Sequence, residues 1–172
     1  MILKAADFLL REWQTDDEYS LFQNANNPKV SQYLENRFPA PYTIADARFW
    51  IDAHLNQPEP ITNAAIIIAG EAAGAIGITL QNDIYVKNAR IGYWLAEPYW
   101  GKGIMTAALA LFTSYIFAGF EVERIVAGVF GSNPASAKVL QKAGFRHEGT
   151  FKKALFKNGF YDDELIFAKL RP

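Results

Sequence analysis

Cysteine is absent from this chain of 172 residues. Disulfides, thiolate zinc sites and a cysteine acyl-enzyme are therefore excluded. Histidine is nearly absent as well, and neither His54 nor His147 lies in a catalytic pattern. We interpret both histidines as structural, and we predict no metal site.

The chain also lacks an excess of either charge. Lysine and arginine total 17 against 18 acidic residues, which gives a net charge of -1. This balance argues against a surface built to hold nucleic acid or anionic lipid. The longest uncharged run ends at Phe120 and is too short to span a bilayer. We expect a cytoplasmic protein that binds neither nucleic acid nor membrane.

The chain is rich in hydrophobic and aromatic residues, which make up 51% and 15% of it. At this length, such a composition suffices for one well-packed core. No repeat, low-complexity tract or linker interrupts the chain. We predict a single domain over residues 1–172.

Strands are predicted where β-branched and other apolar residues run together between turn residues. These runs are Phe8 to Glu12, Ala64 to Ala69, Ala75 to Leu80, Ala89 to Leu95, Arg124 to Val129, His147 to Phe156 and Phe160 to Ala168. Helices are predicted after capping residues and Asn-Pro pairs. They begin near Thr15, Thr43, Ile104 and Pro134, with a short one at Pro28. The sequence indicates an α+β domain with a mixed, mostly antiparallel sheet of about six to seven strands, flanked by about four helices.

The most informative segment is Trp100-Gly101-Lys102-Gly103-Ile104, which joins a predicted strand to the long helix from Met105 to Phe117. The first N–H groups of a helix lack internal acceptors, and glycines let a phosphate approach the backbone. The named nucleotide motifs fit badly, because the third glycine of a dinucleotide fingerprint would fall at Thr106. By itself the turn is also typical of a plain tight connection, so other segments must decide.

Several further segments agree in order and spacing with one known family. They are Asn26 to Val30, Phe38 to Thr43, Ile91 to Leu95, Tyr99 to Met105, Asn133 to Ser136, Lys142 to Phe145, and Glu148-Gly149 before Asn158 to Asp163. With these motifs the chain resembles the GCN5-related N-acetyltransferase (GNAT) superfamily, in the branch of the RimJ and RimL ribosomal-protein N-terminal acetyltransferases. The resemblance covers nearly the whole chain and implies a GNAT-like domain.

The resemblance implies that the chain binds acetyl-CoA. The diphosphate would lie on the backbone amides after Trp100, and the pantetheine arm would add to the edge of the strand that ends at Leu95. The implied cofactor-binding residues are Trp94, Leu95, Trp100, Gly101, Lys102, Gly103, Ile104, Met105, Thr106, Asn133, Ser136 and Lys142. Plain alternatives remain for two of them, since Trp100 could serve packing and Asn133 could cap the helix that follows it.

The chain differs from many family members at the positions where they carry the catalytic acid and the catalytic base. The tyrosine acid of many members falls at Leu140, whereas the serine that the RimL-like branch uses falls at Ser136. We take Ser136 as the candidate acid, with a helix first-turn serine as the other reading. The glutamate of the branch falls at Leu155, so no base is assigned. Glu97, an ordered water or bulk solvent stay open for that role.

For the acceptor, the resemblance implies a site with an aromatic wall that includes Phe38, Tyr42 and Tyr161. Three functions remain open at this point. The first is acetylation of a protein or peptide α-amine, and the second is acetylation of a small amine such as an amino acid, amino sugar or antibiotic. The third is a non-catalytic acyl-CoA-binding module. A homodimer is compatible with the resemblance, although no diagnostic interface is evident.

Overall fold

The computed structural model describes all residues 1–172, which form one eight-stranded sheet and five α-helices. The strands are β1 Ile2–Lys4, β2 Leu9–Arg11, β3 Asn63–Ile68, β4 Glu71–Leu80, β5 Asn88–Leu95, β6 Arg124–Phe130, β7 Arg146–Lys157 and β8 Phe160–Leu170. The helices are α1 Glu18–Ala25, α2 Pro28–Ser31, α3 Ile44–His54, α4 Ile104–Gly119 and α5 Pro134–Lys142. The strand order across the sheet is β1-β2-β3-β4-β5-β6-β8-β7.

Every pair of neighbouring strands is antiparallel except β5 and β6, which run parallel. This parallel pair is short, since its register extends only from Asn88 opposite Arg124 to Arg90 opposite Val126. Beyond Arg90, β5 stays paired with β4 as far as Leu95, and β6 stays paired with β8 as far as Phe130. The two strands therefore separate after three paired positions and leave a wedge-shaped opening, which we call the wedge.

The sheet buries a different hydrophobic cluster on each face. A cluster of 28 buried residues lies against α4 and α5, and a cluster of 10 lies against α1 and α3. We call these two sides the α4 face and the α1 face. Side chains alternate along a strand, so β5 serves both faces: Ile91 and Leu95 join the larger cluster, whereas Trp94 packs against the smaller one.

The capping signals in the sequence form as predicted at two helices. At α3, Oγ1 of Thr43 accepts from the Asp46 N–H at 3.2 Å, and the Asp46 carboxylate accepts from the Thr43 N–H at 2.8 Å. At α5, Oδ1 of Asn133 accepts from the Ser136 N–H at 3.2 Å. These side chains occupy donors that a helix start leaves free, which fixes where α3 and α5 begin.

The sheet has one strand more than the upper predicted number, and there are five α-helices rather than about four. The strand that the sequence did not reveal is β1, whose three residues pair with β2. So short a segment carries no readable alternation, and its conformation depends on pairing with a neighbouring strand rather than on local preference. None of the helices combines the length and the apolar character needed to cross a bilayer. No group of three or more acidic or histidine side chains is arranged to hold a metal ion.

Candidate active site

The loop between β5 and α4 leaves a row of backbone donors without partners. Gly101 and Gly103 have φ values of +73° and +79°, and Gly103 occupies the N-cap position of α4 with no side-chain cap. No N–H from Gly101 through Thr106 donates to another group of the chain, and the first that does is Ala107, to the Gly103 carbonyl at 3.1 Å. A Cβ at either glycine would meet nothing within 4 Å. The loop is therefore open around both glycines, and its unpartnered donors suit an anion.

The side chains of this loop divide into those that fix it and those that are free. Nε1 of Trp100 donates to the Leu95 carbonyl at 2.6 Å, which ties the loop to the end of β5. The side chains of Ile104 and Met105 are buried in the larger cluster, so only their backbone could touch a ligand. The ammonium of Lys102 is exposed and lies 5.5 Å from the centre of the Tyr99 ring. One exposed cation thus lies in the same loop as the free donors.

The wedge exposes the backbone edge of β5. The Ala96 N–H bonds to the Ala73 carbonyl at 2.8 Å, which continues the antiparallel pairing with β4. Because hydrogen bonding alternates along such a pair, the backbone groups of Trp94 point toward β4, and those of Tyr93 and Leu95 point toward β6. No strand pairs with that edge beyond Arg90. An extended amide-containing chain could add there as a further strand would.

Ser136 lies at the wedge and is hydrogen-bonded to a residue of β5. Its Oγ is 2.7 Å from the hydroxyl of Tyr93, which packs against the larger cluster on the α4 face. Burial raises the pKa of Tyr93 to about 12, although the hydrogen bond to Ser136 acts in the opposite direction. Tyr93 is not among the site residues predicted from the sequence. The available signal was its position two residues before Leu95, which places both side chains on one face of the strand.

The segment before α5 is held from two sides. Asp162 on β8 accepts from the Ser132 hydroxyl at 2.5 Å and from its N–H at 3.2 Å, while the Tyr33 hydroxyl donates to the Ser132 carbonyl at 3.1 Å. Asn133 follows directly, and its Oδ1 caps α5. Its Nδ2 donates to no group of the chain, so the capping role leaves that donor free. Lys142 is exposed in the last turn of α5 and makes no hydrogen bond to the loop before α4.

The predicted acceptor residues come together only in part. The Phe38 ring lies 5.0 Å from the Tyr42 ring and 5.9 Å from the Trp94 ring on the α1 face. Tyr42 is only 5% exposed, so it supports Phe38 from within the core, and burial raises the pKa of its hydroxyl. Tyr161 is 68% exposed and packs on Phe156 in the β7–β8 hairpin, apart from this aromatic group. The ring of Trp94, a residue predicted to bind the cofactor, packs against Phe38 of the predicted acceptor wall and not against the free backbone donors.

A family model described as an acetyltransferase (GNAT) domain matches residues 7–146. The chain belongs to the GNAT acetyltransferase family. The curated relatives of this GNAT protein include YjcK of Bacillus subtilis, 42% identical over 87 residues, or 51% of this chain and 48% of YjcK. They also include the ribosomal-protein-serine acetyltransferase of Escherichia coli K12, 42% identical over 85 residues, or 49% of this chain and 47% of that protein. The chain therefore spans about half the length of these relatives.

Among solved structures, the GNAT protein is similar to RimJ of Mycobacterium smegmatis in complex with CoA-disulfide. The two are 26% identical with a TM-score of 0.80, over 95% of this chain and 81% of RimJ. This similarity confirms the α+β GNAT fold inferred from the motifs.

Glu97, one candidate for the base, is committed to other partners in this GNAT protein. The Lys29 ammonium and Nδ2 of Asn27, at 2.9 Å, both donate to its carboxylate. The lysine first and the asparagine second lower the pKa of Glu97 below its usual value. A carboxylate that is stabilised in its charged form takes up a proton less readily. Leu155 lies in β7 opposite Asp162 and supplies no carboxylate.

Proposed function

We propose that this GNAT protein transfers the acetyl group of acetyl-CoA to the α-amine of a protein or peptide. The observation that carries the proposal is the row of unpartnered N–H groups from Gly101 to Thr106, which opens beside the wedge. Two relatives point the same way. RimJ was solved with a CoA disulfide, and the relative from Escherichia coli is a ribosomal-protein-serine acetyltransferase.

The residues of this chain fit acetyl-CoA part by part. A diphosphate matches the free donors and the exposed Lys102 ammonium, because backbone amides at a helix start favour negative charge. The pantetheine amides match the edge of β5 that no strand covers, at the backbone of Tyr93 and the N–H of Leu95, with Nδ2 of Asn133 as a further donor. The Leu95 carbonyl on this edge already accepts from Nε1 of Trp100. When bound, acetyl-CoA supplies an activated acetyl thioester, whose carbon–sulfur bond breaks as the bond to the acceptor nitrogen forms.

Ser136 is the candidate acid in this proposal, and Tyr93 positions it. The raised pKa keeps the Tyr93 hydroxyl protonated at neutral pH, so it can donate to Oγ of Ser136 while Ser136 donates onward. The pair lies on the α4 face at the wedge, where the sulfur would lie if the arm follows the edge of β5. A proton given up by Ser136 would then be replaced from solvent, because a Tyr93 hydroxyl with a raised pKa gives up its own proton less readily.

The acceptor would approach from the α1 face. Phe38 and Trp94 form an apolar wall there, and Tyr42 supports it from behind. An aromatic wall suits the start of a peptide or a small hydrophobic amine better than a highly cationic polyamine. The ribosomal-protein-serine acetyltransferase among the relatives favours the α-amine of a protein or peptide over a small amine, and the hydrogen-bonded Ser136 favours a catalyst over a module that only binds acyl-CoA.

A panel of amines tests the proposal. The purified protein would be incubated with acetyl-CoA and each of five compounds, and CoA thiol release and product mass would be measured. The compounds are a hexapeptide that begins with serine, one that begins with alanine, an Nα-blocked version of the first, free serine and glucosamine. We expect turnover with the two free hexapeptides alone. Turnover on glucosamine or free serine in preference to the peptides would replace the peptide acceptor by a small one. Acetyl-CoA binding without turnover on any amine would instead indicate a non-catalytic acyl-CoA-binding module.

A further inference from the structure

Glu164 is a carboxylate on the α1 face that none of the roles above uses. We propose that Glu164 receives the ammonium group of the acceptor and takes one proton from it before the attack. This inference rests on the proposed function, and it supplies the base that the motif positions lack.

The position of Glu164 follows from the pairing of β6 with β8. Ala127 and Val129 belong to the larger cluster, so Gly128 and Phe130 between and beyond them face the other way, toward the α1 face. The Phe130 ring lies 5.8 Å from the ring of Tyr33, just after α2, which agrees with this direction. Glu164 is directly opposite Phe130 in the register and therefore shares its face.

The carboxylate of Glu164 lies over the backbone of Gly128. A Cβ at position 128 would overlap Oε1 of Glu164 and would come within 3.3 Å of Nη2 of Arg90. Only a residue without a side chain leaves this space to the carboxylate. Glu164 is 17% exposed, and its Oε1 lies 3.3 Å from Nη2 of Arg90, which is 56% exposed. Arg90 is also the last residue of β5 that pairs with β6. The carboxylate is thus held where the wedge begins.

Room for an acceptor lies next to this carboxylate. Gly92 is the next residue of β5 on the α1 face, it is exposed, and a Cβ there would meet nothing within 4 Å. Trp94 follows on the same face and carries Phe38 against its ring. An amine placed over Gly92 would have Glu164 on one side and the aromatic wall on the other. Ser136 and Tyr93 lie on the opposite face of the sheet.

Arg90 is the one charged group that contacts Glu164. The nearby Asp162 is directed to Ser132, and the Lys157 ammonium donates to the carbonyls of Ser31 and Leu34. The contact with Arg90 is a single long one to Oε1, and Oε2 has no hydrogen-bond partner in the chain. A mostly buried carboxylate with a free oxygen binds an ammonium more strongly than an exposed one does.

The protons balance across the two faces. Glu164 takes one proton from the acceptor ammonium and releases it to solvent. The nitrogen loses a second proton to solvent once its bond to the acetyl carbon has formed. Ser136 gives one proton to the departing sulfur and takes one back from solvent, so the protons balance with the net release of the one that the acceptor ammonium carried. Each face of the sheet then handles one proton transfer, and the acetyl group passes between them through the wedge.

The first test is binding, measured by calorimetry in the presence of CoA. The probes are the hexapeptide that begins with serine and its des-amino analogue, which has no ammonium group. We expect the wild type to prefer the ammonium form by about 10-fold or more, as a hydrogen bond to a charged group implies. Glu164→Gln should abolish this preference. Glu148→Gln is the matched control, because it also removes a carboxylate that is paired with an arginine, Arg124, and it should keep the preference.

The second test moves the carboxylate without removing it. Gly128→Ala should displace Glu164 from its place and reduce the preference, although both charges remain. Gly149→Ala is its control, since a Cβ there meets nothing within 4 Å. In kinetics, Glu164→Gln should lower kcat/KM by about 10- to 10²-fold at pH 7, because about a tenth of the α-amine is already neutral there and the lost ammonium contact adds a further factor of about 10. The deficit should shrink above pH about 8, where the acceptor α-amine loses its proton unaided.

The outcomes separate this inference from the proposed function. A Glu164→Gln variant that keeps both the ammonium preference and its full rate at pH 7 would overturn the role of Glu164 alone. So would a wild-type protein that does not distinguish the two peptides. A wild-type protein that binds no acetyl-CoA would instead overturn the proposed function.

Discussion

Replacing Gly103 by valine is the most direct test of the proposed phosphate-binding role of the loop before α4. Gly103 has a φ of +79°, a conformation that costs an L-residue about 1–2 kcal/mol and a β-branched one more. Because a Cβ there meets nothing within 4 Å, the substitution creates no clash, and its effect comes from the backbone alone. The chain can relieve this strain only by rotating the peptide groups that start α4. Those groups carry the free donors.

The size of the effect follows from the donors that are turned away. A hydrogen bond to a charged group contributes about 1.5–3 kcal/mol. Loss of two such bonds to the diphosphate should weaken CoA binding by about 10²- to 10⁴-fold, since each 1.4 kcal/mol is tenfold. The strain itself should lower the Tm by about 2–8 °C for a domain of this size. Calorimetric titration with CoA and thermal unfolding by circular dichroism measure the two effects separately.

Gly70 offers a matched control for this experiment. It has a φ of +86° in the turn between β3 and β4, and a Cβ there also meets nothing within 4 Å. Gly70→Val should therefore lower the Tm by a similar amount and leave CoA affinity unchanged. Equal CoA affinity in Gly103→Val and wild type would refute the reasoning, and so would an equal loss of affinity in both variants.

Three further expectations concern other residues. Ser136→Ala should lower kcat by about 10²- to 10⁴-fold and CoA affinity by much less, and an unchanged kcat would remove its acid role. Tyr93→Phe should lower kcat by less, because Ser136 stays in place, and a loss as large as that of Ser136→Ala would assign the acid role to the tyrosine itself. Lys169 donates to Oγ1 of Thr113 at 3.0 Å and to the Ala143 carbonyl at 2.9 Å, and burial lowers its pKa. At pH values between the lowered pKa of Lys169 in the folded chain and its ordinary pKa in the unfolded chain, the unfolded chain binds more protons. The free energy of unfolding therefore rises with pH in that range. Lys169→Met should flatten that rise in urea unfolding measured from neutral to alkaline pH, and an unaltered slope would show that Lys169 does not cause it.

Local signals in the sequence predicted much of this structure. The spacing of Gly101 and Gly103 predicted an open helix start, and Thr43 with Asp46 predicted the start of α3. In each case the residues that decide the conformation are close neighbours in the chain. The same holds for the β7–β8 hairpin at Asn158-Gly159, where both residues have positive φ values.

The parts that sequence reasoning missed depend on pairing between distant segments. The position of Glu164 follows from the register of β8 on β6, and that of Tyr93 follows from α5 folding back over β5. Neither position can be predicted from the residues next to it in the chain. Tyr42, which the sequence placed in the acceptor wall, lies in the core behind Phe38. Its burial depends on how α1 and α3 meet, which no local pattern reports.

The alternation of side chains along β5 has an evolutionary consequence. Tyr93 belongs to the half of the molecule assigned to the acetyl donor, and Trp94, its immediate neighbour, belongs to the half assigned to the recipient. Substitutions at Phe38 or Trp94 could diversify the choice of recipient while the donor half stays intact. A single-residue insertion or deletion within β5 would exchange the two sets at once. Natural variants should therefore differ freely in side chains on the recipient half but share the same length of this strand.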